Sequence, residues 1–424
     1  MRAGVAVRDI TPDPGAAMSG FAARTRPVSG VHDRLEVRAL TVADTAVVTV
    51  DVVGLDGATC ARIAQECVLP AERVLVHATH THGGPVSMQA RLGGPLDRAW
   101  LDRVVRAAVE AVAEAHATAT EVTVHGGYGP PCDLARNRRR PDGPVDRDVP
   151  VIRFVRRDGR VLATVVSYAC HPVVLGGDNT LLTADYPGVV RRVLAEETGA
   201  PVLFLTGCAG DANNGHSPDP TAPGAPSADR TFDACEQAGA DVADAADRAM
   251  PTDLDGPVRA AARRVGIELV PADAEQTERD LTAWQAQARE AEPGVRALLD
   301  EWSAWARAHL AEPRPAHLEV PVTVLRWGRA VLVGLPGEPF ATAGRTVRSI
   351  LAADDPDAVT VVAGYTGECF GYLPAREEYP SGGYEVCDAH RYYGMPGPAA
   401  PGSLEQLVEA AAEAWREVRD PLSR

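Results

Sequence analysis

Several short runs in this chain are apolar almost from end to end, and they restrict its fold more than any other feature. Val47 to Val53 is interrupted only by Thr49 and Asp51, and Val161–Ser167, Val202–Leu205 and Val331–Leu335 are of similar character. A strand with one wet face alternates polar and apolar side chains, whereas a strand apolar on both faces has to be covered on both. Segments with helical spacing lie between these runs. Leu96 to Ala117 repeats apolar residues at Leu101, Val104, Val105, Val109 and Val112, and Pro187 opens a helix that Gly199 closes. The expectation is a layered, mixed α/β (α+β) domain with central β-sheets flanked by helices.

Other signals fill in the order of elements. Val151–Val155 and Val161–Ser167 flank Asp158-Gly159, a hairpin turn, and two further strands flank Trp327-Gly328. Asp273 to Leu310 reads as a helical hairpin broken at Pro293-Gly294, and Ser403 is expected to cap a final Ala/Glu-rich helix. Asn213 to Asp229 is rich in Gly, Pro, Ser and Asn and reads as a long surface loop. No internal repeat is evident. Residues 1–424 are read as one catalytic domain, with the helical hairpin at about 273–310 inserted into it.

Composition excludes several classes of function. The formal net charge of -16 argues against a nucleic-acid partner and against an anionic membrane surface. All 42 basic residues are arginine, so Schiff-base lysines, a P-loop lysine and a Ser-Lys dyad are ruled out. The eight cysteines show no paired spacing and read as reduced thiols. The N-terminus carries no apolar signal core, and no 18-residue apolar stretch follows, so the expected location is cytoplasmic. Nothing in the sequence speaks to oligomeric state.

The chemistry gathers at strand ends. Val74-Leu75-Val76-His77-Ala78-Thr79-His80-Thr81-His82 runs from apolar residues into His-x-His, followed by Gly83-Gly84-Pro85. Residues i and i+2 of an extended chain leave the same face, so His80 and His82 are expected to project together. Imidazoles grouped on a fixed backbone suit zinc or a related metal, with a satisfied polar strand end as the structural alternative. Three other strand candidates also run into polar groups: Ala169-Cys170-His171-Pro172, Gly210-Asp211-Ala212-Asn213-Asn214 and Pro336-Gly337-Glu338-Pro339-Phe340. Open α/β sheets build their sites at such ends. His171 and Glu338 would complete a set of two histidines and one carboxylate, with a position left for water. His77 and His32 read either as partners orienting the ligands or as ordinary core and loop hydrogen bonders, and Cys208 as a buried structural thiol.

Taken in order, these motifs resemble the catalytic domain of the neutral (non-lysosomal) ceramidase family. The resemblance runs through Asp9-Ile10-Thr11-Pro12, Val31-His32-Asp33-Arg34-Leu35, Thr79-His80-Thr81-His82-Gly83-Gly84-Pro85 and Asn137-Arg138. It continues through the His171 and Glu338 segments to Tyr372-Leu373-Pro374-Ala375-Arg376-Glu377-Glu378-Tyr379 and Tyr384. The resemblance implies a zinc ion bound by His80, His171, Glu338 and the phenol of Tyr372. It places His82 beside the metal as a proton-handling or substrate group, and Arg138 and Tyr384 around the scissile amide. By itself a neutral phenol is a poor zinc ligand; proximity to the metal is expected to favour phenolate. His82 suits protonation of the leaving amine because an unperturbed histidine titrates near the working pH.

The departures from the family narrow the expected function. Where ceramidases carry a serine, this chain has Asn213, which excludes a serine-dependent route and leaves an amide able to donate to a developing oxyanion. The chain stops where the family's C-terminal β-domain would begin. The expectation is therefore a zinc-dependent amidohydrolase acting on carbon–nitrogen bonds other than peptide bonds, with a soluble small-molecule N-acyl amide as substrate. Three alternatives stay open: acyl transfer or cyclisation to an amide or lactam on the same zinc site, an amidohydrolase-type barrel, and a non-catalytic metal-binding protein.

Overall fold

The computed structural model describes residues 1–22, 24–89, 94–216 and 229–419. Most of the expected 213–229 loop therefore lies outside the described residues. Two sheets form the centre. The larger has eight strands in the order Val202–Thr206, Val161–Tyr168, Val149–Arg156, Thr120–Gly129, Arg2–Asp9, Glu36–Val42, Thr45–Val50 and Val74–Ala78, and the short Thr252–Asp253 strand pairs beside Thr120–Gly129. The smaller runs Val258–Glu268, His317–Trp327, Ala330–Gly334 and Val359–Ala363.

The sheets pack on each other through a shared core that includes Leu40, Val47, Phe154, Leu203, Leu325, Trp327 and Leu332. Helices cover the outer faces. Arg98–Ala117 and Gly57–Glu66 lie over one half of the large sheet, and Tyr186–Thr198 and Phe232–Asp247 over the other. Ala341–Asp354 and Ser403–Arg419 cover the small sheet. The continuous apolar strands are explained: each is sandwiched between the other sheet and a helix layer. The observed architecture is thus the layered mixed α/β arrangement with flanked sheets. It is an open two-sheet stack, which removes the amidohydrolase-type barrel from consideration.

Boundaries follow local chemistry. Asp97 caps Arg98–Ala117 by accepting from Trp100 N–H, Pro187 sits in the first turn of its helix, and Gly199 ends that helix in a left-handed conformation. Ser403 is the first helical residue, and its hydroxyl donates back to the Ala400 carbonyl instead of capping the helix. Helices Ala274–Ala288 and Pro293–Ala311 pack together through Trp284, Trp302 and Trp305; Pro293 opens the second helix, so the break lies just before it.

Three β-α-β units position the site. Thr45–Val50 and Val74–Ala78 are parallel and joined through helix Gly57–Glu66. Val161–Tyr168 and Val202–Thr206 are parallel and joined through Tyr186–Thr198. Ala330–Gly334 and Val359–Ala363 are parallel and joined through Ala341–Asp354. Parallel pairs need such crossovers, and ligand loops collect at the carboxyl ends of their strands. Isolated bridges His77–Thr366 and Gly207–Ala363 tie these ends of the two sheets together. All three units therefore deliver their loops to one place.

Candidate metal centre

His80, His171 and Glu338 each follow a strand of a different β-α-β unit, and their side chains meet in a fully buried cluster. His80 Nε2 and His171 Nε2 are 2.9 Å apart, and Glu338 Oε2 lies 3.2 Å from the first and 3.1 Å from the second. His82 Nε2 stands 3.4 Å from His80 Nε2, and one ring nitrogen from each of the three histidines fits within 4.8 Å.

The expected route to this meeting was an extended strand, and the structure departs from it. The strand ends at Ala78, and His80 adopts φ +65°, a strained conformation for a non-glycine residue. Its amide donates to Val52 O, and its ring stacks on Tyr365 at 4.0 Å, where Tyr365 also has a positive φ of 56°. A side chain at Gly20 would collide with the His82 ring, and one at Gly210 with the Glu338 backbone; both glycines permit close approach to the cluster.

His80 and His171 are each oriented by the chain just past the partner strand of their own unit. His80 Nδ1 donates to the carbonyl of Val53, and His171 Nδ1 donates to Ala209 O at 2.7 Å. These partners assign the Nδ1–H tautomer, so both Nε2 atoms turn a lone pair into the cluster. Tyr393 donates its hydroxyl to Glu338 Oε1, leaving Oε2 buried with no hydrogen-bond donor. Burial pushes the Glu338 carboxyl up, and it is held below the usual carboxylate range only while His80 and His171, or a cation between them, carry positive charge. Burial, with Arg138 and His80, lowers His171 to about 4.

Lone pairs and a carboxylate oxygen thus face one another at 2.9–3.2 Å. Four ligands at about 2.0–2.1 Å around a tetrahedral zinc are separated from each other by roughly 3.3 Å, close to this spacing. Orienting backbone carbonyls, as behind His80 and His171, are the usual second layer of a metal site. The donor set fits a divalent metal.

The other expected site residues divide into two groups. Tyr372 pairs in a short parallel bridge with Glu338, and its ring stacks near His171 with centroids 6.3 Å apart. Arg138 lies over the Tyr372 ring at 5.3 Å, and Tyr384 meets that ring edge-on at 5.6 Å. Burial and the Glu338 charge raise the Tyr372 phenol well above its ordinary value, with Arg138 opposing. The protein's own groups therefore favour the neutral phenol, and phenolate depends on a cation in the cluster. Asn213 is buried, but its amide serves its own loop: Nδ2 donates to His216 O at 2.7 Å and Oδ1 accepts from Gly215 N–H at 2.8 Å.

His82 also differs from the sequence-based reading in its titration. Burial, then His80 and His171, lower it well below the ordinary histidine value, so it stands neutral. His77 is a structural tie. Its Nδ1 donates to Gly364 O and its Nε2 accepts from Thr206 N–H, joining the two sheets. His32 stacks on Phe232 at 3.8 Å, and Cys208 is a buried thiol whose pKa burial raises.

Two residues at the cluster carried no readable sequence signal, Tyr365 and Tyr393, whereas Asp211 was readable only as a polar residue past a strand end. Asp211 accepts from Ala341 N–H at 2.7 Å and from Asn137 Nδ2 at 3.0 Å, joining the Arg138 loop to the Glu338 loop.

Comparison with known proteins finds similarity to neutral ceramidases. The sequence profile described as "Neutral/alkaline non-lysosomal ceramidase, N-terminal" matches residues 1–202. A neutral ceramidase of Mycobacterium tuberculosis (strain ATCC 25618 / H37Rv) is 27% identical over 511 aligned positions, spanning 98% of this chain and 77% of the relative. The crystal structure of neutral ceramidase from Pseudomonas aeruginosa superposes with a TM-score of 0.74 at 18% identity, covering 99% of this chain and 75% of that one. A ceramidase complexed with C2 gives 0.73 at 18% identity. At that identity the structural likeness shows the fold.

Proposed function

From a chain that carries the neutral ceramidase profile over residues 1–202 and shares that fold, we propose a zinc-dependent hydrolase. It cleaves the C–N amide bond of a soluble small-molecule N-acyl substrate. The observation that carries the reading is the inward convergence of His80 Nε2, His171 Nε2 and Glu338 Oε2, with no donor supplied to the carboxylate oxygen. Tyr372 completes the proposed ligand set. The chemistry supplied by zinc in such a set is polarisation of the substrate carbonyl and a bound water acidified toward neutrality.

The remaining work falls to the chain's own residues. His82, neutral and beside the cluster, accepts the proton of the attacking water and passes it to the leaving nitrogen. Arg138 has a terminal nitrogen, Nη2, that is buried without a partner, and it donates to the oxygen of the scissile carbonyl. Tyr384 packs against Tyr372 and lines the same side. Asn213 offers no nucleophile, and its remaining amide hydrogen is the available donor at that position.

The net charge of -16 supports a soluble substrate over one drawn from an anionic membrane. Eight free cysteines support a reducing, cytoplasmic setting, and among the described residues no helix is long and apolar enough to cross a membrane. The test is a panel of soluble N-acyl amides, lactams and long-chain ceramide, assayed with and without a strong chelator. Hydrolysis of a soluble amide that is lost on chelation and restored by zinc supports the reading. Chelator-insensitive activity, or ceramide cleaved faster than every soluble amide, contradicts it.

A further inference from the structure

Three consecutive arginines, Arg138 to Arg140, follow the short Arg136–Asn137 strand, and two glutamates from a facing segment interleave with them. Glu385 Oε1 accepts from Arg138 Nε at 2.8 Å, and its Oε2 accepts from Arg139 Nη1 at 2.6 Å. Glu378 accepts from Arg139 Nε at 3.2 Å and pairs with Arg140 Nη2 at 2.8 Å. The side chains of Arg138, Arg139, Glu378 and Glu385 are all at most 7% exposed, so these pairs are little screened by water.

The two glutamates play unequal parts. Among the described residues, the Glu378 carboxylate pairs with Arg139 and Arg140, which brace the loop. Glu385 grips Arg138 by Nε, the one nitrogen on the stem side of the guanidinium. Elsewhere the guanidinium meets Tyr372, lying over its ring at 5.3 Å and hydrogen-bonding to its side chain, while Arg138 Nη2 is buried without a partner. A buried, unpartnered guanidinium nitrogen costs stability unless something accepts from it. Glu385 also follows Tyr384 directly, at the start of the single helical turn Tyr384–Cys387.

We propose that Glu385 is a positioning residue: by holding Arg138 at Nε it presents the unpartnered Nη2 to the scissile carbonyl, in register with Tyr384 on the same turn. The target of the guanidinium rests on the hydrolase reading, whereas the hold of Glu385 on Arg138 does not.

The test compares Glu385→Leu, Glu378→Leu, Arg138→Gln and the double variant Arg138→Gln/Glu385→Leu. Both glutamate variants strip a buried carboxylate from Arg139, but only the first strips Arg138. Glu385→Leu is expected to lower kcat by about 10²-fold, with KM within about threefold and metal content unchanged. Glu378→Leu is expected to keep kcat within about threefold of wild type. The double variant should be no slower than Arg138→Gln alone, because a residue acting through Arg138 has nothing left to lose.

Additive losses in the double variant, or equal losses in both glutamate variants, would overturn the proposal. If Glu385→Leu does not fold, Glu385→Gln carries the same comparison with about a tenfold expected loss, since it keeps one acceptor. A crystal structure of the Glu385 variant separates this inference from the hydrolase reading. Arg138 displaced from Tyr372 supports the positioning role even if no amide is turned over, and Arg138 unmoved refutes it whatever the activity.

Discussion

Replacing Tyr393 with phenylalanine removes a single oxygen from the support of the metal cluster. Tyr393 is 1% exposed, and its hydroxyl donates to Glu338 Oε1, so that Oε2 is the oxygen left facing His80 and His171. The ring stays, so no sizeable cavity opens and the packing loss is small. What is lost is a hydrogen bond to an ionised carboxylate, roughly 1.5–3 kcal/mol. If that energy serves to hold Glu338 in ligating position, zinc affinity falls by roughly 10- to 100-fold, about the usual effect of removing an outer partner of a ligand. The assay is competition against a chelator of known affinity at fixed pH, paired with thermal melting of the metal-free proteins. An affinity within twofold of wild type would refute the reasoning. So would a loss of metal-free stability that accounts for the whole effect, since the hydroxyl would then serve the fold alone.

Four further outcomes follow from the same geometry. His80→Ala and His171→Ala should lose metal and activity together in a combined metal analysis and rate assay. His82→Ala should keep most of its metal and lose about 10²-fold in kcat; metal loss equal to that of His80→Ala would make His82 a ligand, as its 3.4 Å distance from His80 allows. Arg191 donates twice to Asp51, at 2.7 and 2.8 Å, with both side chains buried, so Asp51→Asn should cost roughly 3–5 kcal/mol in urea unfolding; a cost below about 1 kcal/mol would contradict that role. Burial pushes the Asp185 carboxyl up to about 6 from an ordinary 3.8, although three backbone N–H groups oppose the shift. The native state then holds this proton more tightly than the unfolded chain, so the contribution is fullest below about pH 4 and fades as pH rises through about 6. Asp185→Asn should flatten that part of the stability profile in urea midpoints, and an unchanged slope would count against it.

The layered fold was readable because each crossover unit writes its own signal: an apolar strand, a helix with capping residues, and a second apolar strand. His80, His171 and Glu338 were readable because they stand just past such strands, where polar residues are out of place. The stacking of the two sheets was not readable, since covered strands look the same whether a sheet or a helix covers them. The positive φ of His80 was hidden for a similar reason: histidine gives no local warning of a left-handed backbone that tertiary contacts impose. Tyr365, Tyr393 and Glu385 come from the 364–395 segment, which has little regular structure and so no period to place a side chain. Asn213 was readable as a departure from the serine, but the bonds that tie its amide to Gly215 and His216 depend on loop conformation. The low pKa of His82 depends on burial beside two other imidazoles, which the strand-end motif alone does not specify.

The central claim is that three crossover units converge to hold one zinc ion. It is tested most directly by anomalous diffraction from crystals of the purified, zinc-loaded protein on either side of the zinc edge. The account predicts one strong peak, within bonding distance of His80 Nε2, His171 Nε2 and Glu338 Oε2. A peak elsewhere with this cluster empty, or no peak in protein that is fully active, would contradict it.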